Sequence, residues 1–185
     1  EWQKVKDSGA AGLVGLDVDQ NGNLIGKELP DSELINAASL LCVPGMGDKK
    51  YVVRNDLLRT VAPMPVFAGE KNFNPHYLIM KLSKQYRFHP VNQCFCLVEY
   101  QPDGMTANIW KQYVNSPRSF AELRRVIMDV PGLTWQYRLK NIIHYCSSSQ
   151  IAGNRNYIKE SPRKLLTVLC TPAGWVLTGY IRRKV

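Results

Sequence analysis

Residues 74–113, NPHYLIMKLSKQYRFHPVNQCFCLVEYQPDGMTANIWKQY, hold the longest unit whose start, faces and stop are all argued by residue type. Asn74 supplies a cap, and Pro75 takes the first helical position, where its missing N–H costs nothing. Leu78, Ile79, Leu82 and Tyr86 then share one stripe, with Lys81, Lys84 and Arg87 off it, and the helix must stop before Pro90. Residues 94–100 are nearly continuous apolar sequence interrupted by Glu99, the pattern of an interior strand covered on both faces. That environment also makes Cys94 and Cys96 small buried hydrophobes. Pro102-Asp103-Gly104 predicts a tight turn into a second strand, residues 105–113, pairing back on the first.

Working outward, residues 12–28 predict two short strands around Asn21-Gly22, a dipeptide suited to tight hairpin turns. Asp31 or Ser32 caps a helix running to Leu41, with Leu34, Ile35, Ala38 and Leu41 on one stripe. Residues 51–53 suit a strand, and Asn55 opens a short helix over Leu57, Leu58 and Val61. Downstream, Ser116-Pro117 opens a helix with Phe120, Leu123, Ile127 and Val130 on one face, closed by Pro131-Gly132. Ser119 and Glu122 offer an alternative capping box. Residues 134–146 fit either a strand, with Trp135, Tyr137 and Leu139 alternating, or a helix, with Trp135, Leu139, Ile142, Ile143 and Cys146 on one stripe. Residues 147–156 read as a polar loop. Ser161-Pro162 opens another helix over Leu165, Val168 and Leu169, ending near Pro172. Residues 175–181 then form a closing strand before the tail Arg182-Arg183-Lys184.

The expected fold is therefore α+β: a mainly antiparallel sheet built from hairpins, with three to five helices packed on it. One domain over residues 1–185 suits the length, with a sub-boundary at 62–72, where prolines flank Met64. That stretch separates an acidic start from a basic remainder. No apolar run reaches the length that spans a bilayer, so no membrane span is expected. Glu1 in place of Met, with no signal-like segment, predicts a processed chain or an excised piece. Five cysteines in no framework spacing suit a reducing, intracellular setting, cytoplasm or nucleus.

Charge is the most informative bulk property. Residues 1–45 hold three Lys against seven acids, a sum of −4, and the remainder sums to +13, which together give the formal net of +9. A field of that sign favours polyanions, nucleic acid first and an anionic membrane surface second. Basic side chains with interleaved aromatics serve phosphate contact and base stacking. The candidate contacts are Lys81, Lys84, Arg118, Arg125, Arg138, Lys140, Arg155, Tyr157, Lys159, Arg163, Lys164, Arg182 and Arg183. Tyr77 and Phe88 share the outer helix face with Lys81 and Lys84, while Arg138 and Lys140 share a face if 134–140 is a strand. Arg163 and Lys164 oppose the dipole of the helix they open, which suits an anion bound there.

Chemistry beyond binding has weaker support. Asp17, Asp19, Asn21 and Glu28 have the oxygen-ligand spacing of an EF-hand loop and nominate Ca²⁺ or Mg²⁺, although the glycine-rich flank suits no entering helix. Asp31 with Asp48-Lys49-Lys50 matches a loose metal-nuclease pattern, as do Asp17 and Asp19 on a strand. Cys94, Cys96, His144 and Cys146 are a poor zinc set, because C-x-C on an apolar strand lacks knuckle geometry. The expectation is a nucleic-acid-binding module, DNA or RNA undecided, with the question of catalysis left open. The alternatives are a metal-dependent nuclease or an interaction module docking other proteins of a larger complex.

Overall fold

Residues Gly12–Val18, GLVGLDV, form strand β1, buried from Gly12 through Asp17 in a computed structural model that describes residues 1–99, 101 and 108–185. β1 is central because two glycines admit close neighbours. A Cβ at Gly12 would lie 2.0 Å from the Val52 carbonyl oxygen, and one at Gly15 would lie 2.3 Å from the Phe95 ring. Lys49–Val53 form β2, antiparallel to β1, and Phe88–Leu97 form β3, parallel to it, giving the order β2-β1-β3. Helices α1 (Trp2–Ser8), α2 (Ala37–Leu40) and α3 (Asn55–Val61) complete the N-terminal part. Next come α4 (His76–Leu82), α5 (Ile109–Asn115), α6 (Pro117–Ile127), α7 (Trp135–Ile151), α8 (Tyr157–Glu160) and α9 (Lys164–Lys184).

The class is α+β, with a small mixed sheet and nine helices among the described residues. A mainly antiparallel, hairpin-built sheet with three to five helices is not what forms. After Asp19, whose carboxylate accepts the Asn21 and Asn23 N–H groups at 2.9 and 2.8 Å, the chain turns at Gly22 as expected. It returns only as an isolated bridge between Val18 and Leu24. β1 instead pairs with distant strands, through a parallel ladder that no local pattern announces.

The chain divides into two compact units. Unit 1 comprises Glu1–Pro63 and Leu78–Gln101; its apolar cluster of Val5, Ala10, Leu13 and Val91 is flanked by Leu34 and Phe95. Here α2 is short and capped by Asn36, whose Oδ1 accepts the Ala38 N–H, while Ile35 pairs with Phe88, so the helix predicted from residue 31 starts later. β3 begins six residues before the predicted strand and lies at a sheet edge. Asn92, Gln93 and Cys94 are exposed, which overturns the interior reading and the burial of Cys94. Phe88 and Tyr77, assigned to an outer helix face, are buried.

Unit 2 comprises Met64–Tyr77 and Pro102–Val185. The turn predicted at 102–104 lies outside the described residues, and residues 109–113 are helical, so no strand closes there. α6 matches expectation: Phe120, Leu123, Ile127 and Val130 are buried. Its cap does not. Glu70 accepts the Arg118 and Ser119 N–H groups at 2.9 and 2.7 Å and the Ser119 hydroxyl at 2.6 Å. α7 resolves the ambiguous segment as helix and runs through the first half of the predicted polar loop, burying Ser147, Ser148 and Ser149. α9 is continuous across Pro172 and absorbs the predicted closing strand. Leu165, Val168 and Leu169, the predicted core stripe, are exposed.

Candidate nucleic-acid interface

Charge is divided unevenly between the two units. Unit 1 holds ten basic and ten acidic residues; unit 2 holds fourteen basic and five acidic, so all of the net +9 belongs to unit 2. Lys81 and Lys84 fall in the neutral unit 1. Lys81 donates to the Val61 carbonyl at 2.9 Å, closing the end of α3, and Lys84 is exposed.

Three of the nominated unit 2 residues serve the fold. Arg125 makes a paired contact to Glu122, with Nε and Nη2 each 2.8 Å from its oxygens, which holds the guanidinium charged and balanced. Glu122 also accepts the Tyr77 hydroxyl at 3.0 Å, and burial, followed by that carboxylate, pushes the phenol up to about 12. Arg138 is on a helix, not a strand. Its guanidinium donates to the Met128 and Val130 carbonyls just beyond α6, satisfying acceptors the helix end leaves open. Tyr157 is buried: its hydroxyl lies 2.9 Å from Thr171 Oγ1, and its carbonyl accepts the Tyr145 hydroxyl at 2.7 Å. It is not a stacking platform.

The others point outward. Arg118 contacts the Ala68 carbonyl and lies 3.5 Å from Glu70, yet half its side chain is exposed. Arg155, Lys159 and Lys164 are exposed along the α8–α9 corner, and Arg163, 3.4 Å from Asp129, sits at the α9 start. Arg182, Arg183 and Lys184 fill the last turn of α9, where cations suit the helix dipole. Lys140 is exposed on α7, 6.0 Å from the Tyr137 ring centre. The cleft of about 210 Å³ lined by Phe67, Arg118, Arg125, Glu122, Tyr145 and Glu160 mixes both signs and does not select anions.

The acidic candidates belong to unit 1. Asp17 is buried in β1, 3.6 Å from Lys50 Nζ. An EF-hand would need a helix where β1 runs. Asp19 is occupied in its own turn, and Asn21 and Glu28 are exposed. Lys49 places its ammonium on the Ile25, Met46 and Asp48 carbonyls at 3.2, 2.6 and 3.2 Å, and burial lowers its pKa. That geometry makes Lys49 a structural strut, while the lysine two residues after Asp48 is Lys50, 3.6 Å from Asp17. Cys94 and Cys96 belong to unit 1, whereas His144 and Cys146 belong to unit 2. No three His, Cys, Asp or Glu side chains converge on a metal-sized site among the described residues.

Two features of this surface escaped sequence reasoning: the Glu70 cap, which no local motif signals, and the apolar outer face of α9. The alternation of Thr, Cys and Gly every third or fourth residue through α9 marks its inner face, and was readable once helix was assumed. Comparison with family models, curated proteins and solved structures finds no match.

Proposed function

We propose that the chain is a nucleic-acid-binding module acting through phosphate contacts on unit 2, without catalysis of its own. The observation that carries this reading is the partition of charge: unit 1 is neutral and unit 2 holds the entire +9. The contact set is narrower than the full roster of cations. Arg118, Lys140, Arg155, Lys159, Arg163 and Lys164 face solvent, while Arg125, Arg138 and Tyr157 are committed to the fold. Phosphate contacts without a base-reading element predict affinity for DNA and RNA alike, with weak sequence preference. An intracellular setting belongs to the same reading, supported by five cysteines of which none forms a disulfide.

Fluorescence anisotropy with a short labelled RNA and DNA over a salt series tests it. Affinity should fall steeply with added salt through counterion release, and each lost phosphate contact should lower the slope by roughly one. The triple variant Arg155→Ala, Lys159→Ala, Lys164→Ala alters only exposed groups and should flatten that slope. Absence of binding at low salt, or an unchanged slope in the variant, overturns the proposal.

A further inference from the structure

α9 is inside out for a helix in water. The face it buries holds Thr167, Cys170, Gly174, Thr178 and Ile181. Its solvent face holds Leu165, Leu169, Trp175 and Val176, which are 74, 67, 62 and 75% exposed, together with Val168 and Tyr180. The buried side packs as helices do where no hydrophobic force drives them together, through small residues and hydroxyls. Ser147 and Thr178 hydroxyls meet at 3.0 Å, Cys146 Sγ reaches the Thr167 carbonyl at 3.6 Å, and a Cβ at Gly174 would lie 2.5 Å from that of Cys146. Pro172 sits on the exposed side, and Thr171 and Thr178 donate to the carbonyls four residues back, at 2.8 and 2.9 Å.

The helix is long and apolar enough to cross a bilayer by length and composition, with mean hydropathy 1.2 in its best window and 28% of that window buried. A core helix of the same length and composition would be mostly buried, and this one is not. From Leu165 through Ile181 it carries no charge, while Arg163 and Lys164 stand at one end and Arg182, Arg183 and Lys184 at the other. No acidic residue occurs from Ser161 to the C-terminus of the sequence. Leu177 extends the apolar surface to α7, where Trp135, Leu139 and Ile143 line an open groove of about 470 Å³.

We infer that α9 lies flat on an anionic lipid bilayer, its Leu165–Leu169–Trp175–Val176 face sunk among the acyl chains and the cations at both ends on headgroup phosphates. The charge pattern selects this occupant. A helix whose two ends are both cationic and whose inner face is already packed presents its apolar stripe parallel to a plane of negative charge. Aromatic Trp175 and Tyr180 suit the headgroup boundary, where one edge stays wet and the other dry. Each cation near an anionic surface adds to the affinity of the apolar face.

The test is flotation of the whole chain with phosphatidylcholine vesicles, with and without phosphatidylserine, in the absence of nucleic acid. Binding should weaken by on the order of a hundredfold when phosphatidylserine is omitted, or when Arg182, Arg183 and Lys184 are all changed to Ala. The double variant Leu169→Glu, Val176→Glu should remove binding to either vesicle while leaving the circular dichroism spectrum unchanged, because both side chains are exposed. For the unaltered chain, tryptophan emission should shift to the blue on vesicles, and Trp175→Phe should diminish that shift. Failure to float with anionic vesicles overturns the inference. So does self-association that the Glu variant abolishes, which would make the face a contact between copies. Nucleic-acid binding is read in a separate vesicle-free assay, on the Arg155, Lys159 and Lys164 variant, and lipid binding on Leu169, Val176 and the C-terminal cations, so either proposal can fail alone.

Discussion

His144 is a titratable side chain that unit 2 holds partly buried. It lies on α7 with its ring 5.7 Å from that of Tyr113, and burial, then Arg124 and Lys140, pushes its pKa down to about 4 from 6.5. The unfolded chain therefore binds a proton that the folded chain refuses between those values. Stability from this group is fully present above pH 6.5 and is lost as pH falls toward 4. Urea titrations across that range should show the unaltered chain losing more stability than His144→Gln, which keeps a polar group of similar size. Equal pH dependence would sink this account. Cys146, a few ångströms along the same helix, is pushed up to about 11 by burial and sits against Thr167 and Gly174 as a packing group. Its role as core was legible in the helical stripe. The exposure of Cys94 was not, because an apolar run in sequence does not say whether its strand lies inside a sheet or along the edge.

At the scale of elements, what the sequence revealed depended on where each helix keeps its stop signals. α6 has Pro at its start, a regular apolar face and Pro131-Gly132 after its end, so all its boundaries are local. α9 hides its continuity. Pro172 removes one N–H, but its position on the solvent side leaves the unpaired carbonyl accessible, so the helix tolerates it. Its apolar residues also face outward, so the periodicity that finds helices assigned the wrong face to the core. The cap of α6 lies 46 residues upstream of its Ser116 N-cap position, in Glu70, which no window over the helix contains. That carboxylate is 5% exposed and accepts three hydrogen bonds at a helix N-terminus. Glu70→Ala should cost about 1–3 kcal/mol by stranding donors with no acceptor. Glu70→Gln, which keeps an acceptor oxygen without the charge, should cost less. Denaturant midpoints of the two variants check the order, and equal losses would show that side-chain packing outweighs the cap.

For the whole molecule, α+β composition was legible because helix and strand periodicities alternate along the chain, whereas topology was not. The parallel β1–β3 pairing joins residues 12–18 to 88–97, and nothing in either stretch encodes the partner. Charge was legible in amount but mis-assigned in place: the apparent N-to-C gradient becomes a neutral unit and a basic one once residues 78–101 return to unit 1. A unit carrying the full +9 repels itself, and this opposes its compact state. Three attractions in the same unit, Arg118 with Glu70, Arg125 with Glu122 and Arg163 with Asp129, respond to salt in the opposite sense. Arg163 is partly exposed, so its pair contributes little; Arg125 is held by two short hydrogen bonds that screening weakens less. Repulsion should therefore dominate, and the thermal midpoint of unit 2 should rise as sodium chloride is raised from low to physiological strength. Three of the four tryptophans, Trp110, Trp135 and Trp175, belong to unit 2, so intrinsic fluorescence follows that unit preferentially. Arg155→Glu with Lys159→Glu, which removes two cations and adds two anions at exposed positions, should raise the low-salt midpoint and flatten its dependence on salt. A midpoint that falls with salt would mean that these ion pairs outweigh the net field, and the excess charge would then be spread too widely to act as one surface.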